Sequence, residues 1–151
     1  MTSLLPLLIL YLVILSTICK CEFTLGIRDS IMIAHSFQGD EFGPAQNMHG
    51  ATYTVDVELS TPDIVEKSNW VIDIGAFSDI LSAILNKYNF KNLNELFPSD
   101  NTTTEFMCRT IHNDLSKSLK LTGFCGSCRV KLFESHKAWA AYKGNIGEEE
   151  G

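Results

Sequence analysis

The sequence predicts an α+β fold: a four-stranded antiparallel sheet with two helices on one face, in the order β-β-α-α-β-β. Three observations predict it. Two alternating apolar–polar runs come first, two amphipathic helical stretches follow, and two short β-rich runs close the chain. Strands segregated from helices in this way favour antiparallel pairing and a sheet covered on one side. The uncovered side must then be wet or buried between subunits.

The first strand is "CEFTLGIRDSIMIAHSF", where Phe23, Leu25 and Ile27 share a face, and it is expected to end near His35. "GDEFGPAQNM" is loop by its Gly, Pro and Asn content. "ATYTVDVELS" alternates strictly, with Tyr53, Val55, Val57 and Leu59 on one side and Thr52, Thr54, Asp56 and Glu58 on the other. The two strands form a hairpin with His35 and His49 near its loop end. In "NWVIDIGAFSDILSAILNKYNF", Phe77, Ile80, Leu81, Ile84, Leu85 and Tyr88 recur at helical spacing, and Asp73 is placed to cap the start. "NTTTEFMCRTIHNDLSKSLK" opens on Thr102-x-x-Glu105, read as a capping box, and continues as a stripe of Met107, Ile111, Leu115 and Leu119. "RVKLFES" and "AWAAYKG" make the closing strand pair. Met107 and Trp139 are both read as core.

The chain has 151 residues, 45% of them apolar and 20% charged, the profile of one ordinary globular domain. A net charge of −6 without a Lys/Arg cluster argues against nucleic acid as a partner. The organisation read from the chain is a hydrophobic segment over residues 1–20, a domain over 21–145 and an acidic tail over 146–151. Leu4–Ile18 carries no charge but is shorter than the roughly 20 residues of a membrane span. It lacks both the basic start and the small-residue cleavage site of a signal peptide. A secretory signal, a single anchor and sequence outside any folded domain all stay open, and the segment is left out of the fold argument.

Six blocks, in order, resemble the 6-pyruvoyl-tetrahydropterin synthase / 6-carboxytetrahydropterin synthase family. They are "IAHSF", "HGATY", "NWVIDIGAFSDIL", "YNFKNLNEL", "NTTTEF" and "VKLFES…AAYKG", spread from about Glu22 to Gly144. The resemblance implies a T-fold subunit in a homohexamer (a dimer of trimers) or at least a trimer, with sites between subunits. It implies a zinc ion on three histidines and a lyase step on a phosphorylated dihydropterin such as dihydroneopterin triphosphate. Because that substrate is a cytosolic metabolite, the resemblance also implies a cytoplasmic protein.

Carried over residue by residue, the resemblance assigns zinc to His35 and His49, whereas its third histidine falls on Ala51. Its catalytic cysteine falls near Ala45, and its Asp-His relay on Asn89 and Phe90. Glu134 matches the pterin anchor, and Thr103, Thr104 and Glu105 match the helix start that borders the pterin pocket. A carboxylate can accept two parallel N–H bonds from such a ring, so the assignment of Glu134 makes chemical sense. His136 lies two residues beyond Glu134, on the same face of a continuing strand. It is expected to serve as third metal ligand or as catalytic base, the alternative being a surface histidine. The alternative for the whole site is a degenerate T-fold that binds a pterin-like ring, or acts as an interaction module, without turnover. Separately, Cys108, His112, Cys125 and Cys128 have a spacing that admits a Cys3His zinc site, a dithiol pair or free thiols. Asn101-Thr-Thr is formally a glycosylation sequon that matters only in a secreted chain.

Overall fold

The computed structural model describes residues 22–147. The hydrophobic segment 1–20, with Cys19 and Cys21 at its edge, lies outside the described residues, as does the tail from residue 148. Ile146, read above as the first tail residue, instead ends the last strand and is fully buried.

β1 (Phe23–His35) and β2 (His49–Thr61) form the expected hairpin, in unbroken antiparallel register from Phe23↔Thr61 to His35↔His49. β4 (Gly126–Phe133) pairs with β2, and β5 (Trp139–Ile146) pairs with β4. The α+β class stands, but the sheet has five strands, in the order β3-β1-β2-β4-β5. The addition is β3 (Lys91–Asn92), two residues lying parallel to Ile33 and Ala34. Phe90 makes it possible by adopting a left-handed turn (φ 57°) and donating its N–H to the Met32 carbonyl at 2.7 Å.

Two helices cover one face: α1 (Ile74–Leu85) and α3 (Thr104–Leu121), with the single-turn α2 (Leu93–Leu96) between them. Asp73 caps α1 as expected, accepting from the Ala76 N–H at 2.8 Å. The cap of α3 is one residue later than expected. Thr103 accepts from the Phe106 N–H, and Thr102, fully buried, is used elsewhere. Tyr53, Val55, Val57 and Leu59 meet Phe77, Leu81, Met107, Ile111, Leu115 and Leu119 in one core. Val130 and Leu132 extend that core along β4. Trp139 corrects the expectation of a core residue, because it is 54% exposed and covers the Lys131 ammonium at 4.0 Å. β5 is an edge strand, and residue 139 shares the face of Lys131, away from the helices.

That open face is laced by cross-strand ion pairs. Arg28 stands opposite Asp56 and Glu58 opposite Arg129, and both pairs close, at 2.5 and 3.2 Å. Between the helices, Asp114 accepts from Lys87 and from the Tyr88 hydroxyl, both at 2.9 Å. Burial alone would raise the Asp114 carboxyl, yet these two donors hold it below the ordinary carboxylate value. Its contribution is therefore complete above the unfolded value of about 3.9 and fades as pH falls through the lowered one. Asp114→Asn is expected to destabilise the chain by about 1 kcal/mol at pH 7. In urea melts, the gap between variant and wild type should close as pH drops below about 4.

Candidate metal centre

The register of the hairpin puts His35 and His49 directly opposite each other, with ring centroids 4.5 Å apart. Each histidine has one nitrogen committed to the backbone. His35 Nδ1 lies 3.1 Å from the Thr102 carbonyl and 3.3 Å from the Thr102 hydroxyl. His49 Nδ1 lies 2.9 Å from the Asn47 carbonyl. A carbonyl oxygen only accepts, so Nδ1 of each ring carries a proton, and in the neutral ring the lone pair is on Nε2.

His35 is fully buried, and its Nε2 has no hydrogen-bond partner. Burial, and then the neighbouring His49, push its pKa below the ordinary histidine value, against the opposing pull of the Thr102 bond and Glu134. The ring is thus a neutral, pre-oriented electron-pair donor. Phe37 packs edge-on against His35 at 4.7 Å and Phe42 backs Phe37 at 4.9 Å, so the buried side of the pair is apolar.

Glu134 completes the cluster. Just past the end of β4, its Oε2 accepts from the Thr104 hydroxyl at 2.8 Å. One ligand atom from each of His35, His49 and Glu134 lies within 4.8 Å of the other two. Among the described residues no other group of three His, Cys, Asp or Glu side chains is gathered in this way. The set fits a divalent metal. Two imidazoles and a carboxylate form a known zinc donor set, and a buried, unpartnered Nε2 is an atom that a metal would satisfy. Ligands on a tetrahedral zinc stand about 3.3 Å apart, so closure takes shifts of the order of an ångström.

The other expected residues lie at the start of α3. Thr104 touches Glu134, Thr103 caps the helix beside it, and Glu105 stands exposed in the first turn. His136 is not brought in. β4 stops at Phe133, so the alternation that would have aligned positions 134 and 136 no longer applies. His136 sits exposed in the turn and lines a hollow with Arg28, Thr52 and Thr54 on the open face. The Cys/His constellation does not assemble either. Cys108, Cys125 and Cys128 are free thiols, and Cys108 donates to the Ala140 carbonyl at 3.3 Å. Burial lifts Cys108 to about 11 and Cys128 to about 12, so neither is a thiolate near neutral pH.

What the sequence reading missed is the asparagine scaffold that holds the end of β1. Asn89 Oδ1 accepts from the Met32 N–H at 3.0 Å. Asn94 bonds both peptide groups of Ser36, at 2.7 and 2.8 Å. Asn101 does the same to Gln38, at 2.7 and 2.9 Å. Three side-chain amides thus act as a neighbouring strand on either side of His35. The only sequence signal was a density of Asn between two helices, which reads equally as turn composition.

A sheet with helices on one face, and a histidine pair with a carboxylate at the hairpin end, defines a T-fold protein with a cluster able to hold a metal ion. The chain belongs to the 6-pyruvoyl tetrahydropterin synthase family, whose sequence model matches residues 24–145. A search of curated proteins finds no match. Among solved structures, the Caenorhabditis elegans 6-pyruvoyl tetrahydropterin synthase is similar at 22% identity and a TM-score of 0.72, covering 82% of this chain and 96% of that one. The Plasmodium vivax enzyme is similar at 16% identity and a TM-score of 0.67, covering 83% and 99%. A catalytic-residue mutant of the P. vivax enzyme, with a glutamate replaced by alanine, follows at 13% identity and 0.62, covering 83% and 99%. At these identities the likeness establishes the fold.

Asn94→Ala is expected to lower stability by about 1–2 kcal/mol, because it leaves two Ser36 peptide groups unpaired. A urea midpoint that falls with an unchanged slope would check it.

Proposed function

We propose that the protein is a zinc-assisted lyase acting on a phosphorylated dihydropterin such as dihydroneopterin triphosphate. The single observation that carries the reading is the buried, unpartnered Nε2 of His35 beside His49. Zinc held there would supply Lewis acidity toward a substrate oxygen. The chain's own part is to orient and to move a proton. Thr103 and Thr104 border the pocket at the start of α3, and Phe37 and Phe42 keep water from one side of the histidine pair. Glu105, the exposed carboxylate of that first turn, is the group that we assign as proton acceptor in place of His136. A glutamate is a catalytic residue of the P. vivax relative, so a carboxylate in such a role has a precedent on this fold.

A second reading is a T-fold that binds the ring without turnover. It is favoured by Asn89 and Phe90, which stand where the family resemblance expects an acid–base pair. Asn89 is spent on the Met32 backbone, and Phe90 cannot titrate.

Elemental analysis is expected to find about one zinc per chain, lost in His35→Ala and in His49→Ala. Product analysis with dihydroneopterin triphosphate should then show turnover that depends on Glu105. Pterin binding without zinc or turnover would favour the second reading.

We also propose a homo-oligomer, trimeric or hexameric, located in the cytoplasm. The sheet leaves β5, the part of β1 beyond its short pairing with β3, and one open face uncovered, and this supports assembly. Light scattering on the protein in solution is expected to give a multiple of three subunits, and a monomer at micromolar concentration would refute it.

A further inference from the structure

Ala51 sits on the same face of β2 as His49 and pairs in register with Ile33, two residues from His35. A methyl group there donates nothing, so the histidine pair lacks a third ligand from its own strands. Glu134 comes from just past the end of β4, and it offers a carboxylate oxygen within 4.8 Å of both histidine ligand atoms. The placement is held by a hydrogen bond: Thr104 donates to Oε2 at 2.8 Å, fixing the carboxylate's orientation from outside the cluster. That is the arrangement in which an outer hydrogen bond positions a ligating carboxylate.

We infer that Glu134 is the third metal ligand of this chain and takes the corner that Ala51 leaves open, so it does not serve as the two-oxygen clamp for a pterin ring. The inference rests on the reading of His35 and His49 as metal ligands, and it deepens that reading. A bidentate clamp needs both carboxylate oxygens turned to one ring edge. Glu134 has Oε2 held by Thr104 and offers an oxygen to the metal group, so a ring clamp would compete with the metal for the same carboxylate. The charge at the centre also changes. Two neutral imidazoles and one carboxylate reduce a divalent ion to a net +1, and three imidazoles would leave +2. Recognition of the ring then falls to the helix start at Thr103 and Thr104.

The test is calorimetric titration of the full-length, metal-stripped protein with zinc, alongside His35→Ala, Glu134→Gln and the double variant Ala51→His/Glu134→Gln. Wild type is expected to bind one zinc, His35→Ala to lose it, and Glu134→Gln to weaken it at least tenfold. The double variant should regain affinity, because a third imidazole on the His49 face replaces the lost carboxylate. X-ray absorption at the zinc edge of the wild-type protein gives a readout that needs no variant, and two imidazoles with oxygen donors are expected. Three imidazoles, or zinc binding by Glu134→Gln equal to wild type while His35→Ala abolishes it, would overturn the role of Glu134 and leave the metal reading standing. Absence of zinc binding by the wild type would overturn both.

Discussion

Everything at this site depends on the register of one hairpin. β1 and β2 run antiparallel for thirteen residues each, and the last pair of that ladder is His35 with His49. Side chains alternate with a period of two, so a slip of one residue would send every β2 side chain to the other face. Tyr53, Val55, Val57 and Leu59 would be driven out of the core and His49 away from His35. The register that buries four apolar side chains is therefore the register that brings the two histidines of the candidate metal site together. The Arg28–Asp56 and Glu58–Arg129 pairs lock the same alignment from the open face.

Features set by local periodicity were legible in the sequence. The alternation of β2, the apolar face of α1, the stripe of α3 and the Asp73 cap all depend on residues within a turn or two of each other. The misses have a common cause, which is dependence on distant partners. Thr102 and Thr103 are equivalent as caps until His35 claims the first of them. His136 was aligned with Glu134 only by a strand that ends at Phe133. Trp139 is apolar enough for a core, but its edge strand turns it outward over Lys131. β3 exists because Phe90 bends left-handed and its backbone reaches Met32, and no local pattern announces that. At the site, His35 and His49 could be read from the family resemblance, whereas the approach of Glu134 could not.

The electrostatics of the centre follow from where the histidines sit. A buried imidazole resists protonation, and a second one beside it adds to the resistance. Both Nδ1 protons are tied to carbonyls, so the rings can neither rotate to change tautomer nor find an internal partner for Nε2. The fold thereby keeps the His35 ring packed against Phe37, with Phe42 behind it. A carboxylate close by draws a cation in. That combination disfavours a proton on His35 and leaves three donor atoms close enough to hold a metal ion.

The asparagine scaffold also limits how this chain can join others. Met32 and Ser36 direct their peptide groups outward, so along β1 it is the even-numbered residues that face the free edge. Asn89, Asn94 and Asn101, with β3 between them, occupy that edge from Met32 to Gln38. What remains open to a strand from outside is the stretch with Thr24, Gly26, Arg28 and Ser30, four outward-facing residues. Any strand added on this side is halted before it reaches the histidines. The same amides that brace the metal end therefore act as a stop, setting how far a neighbour can extend and keeping the mouth of the site clear of the joint.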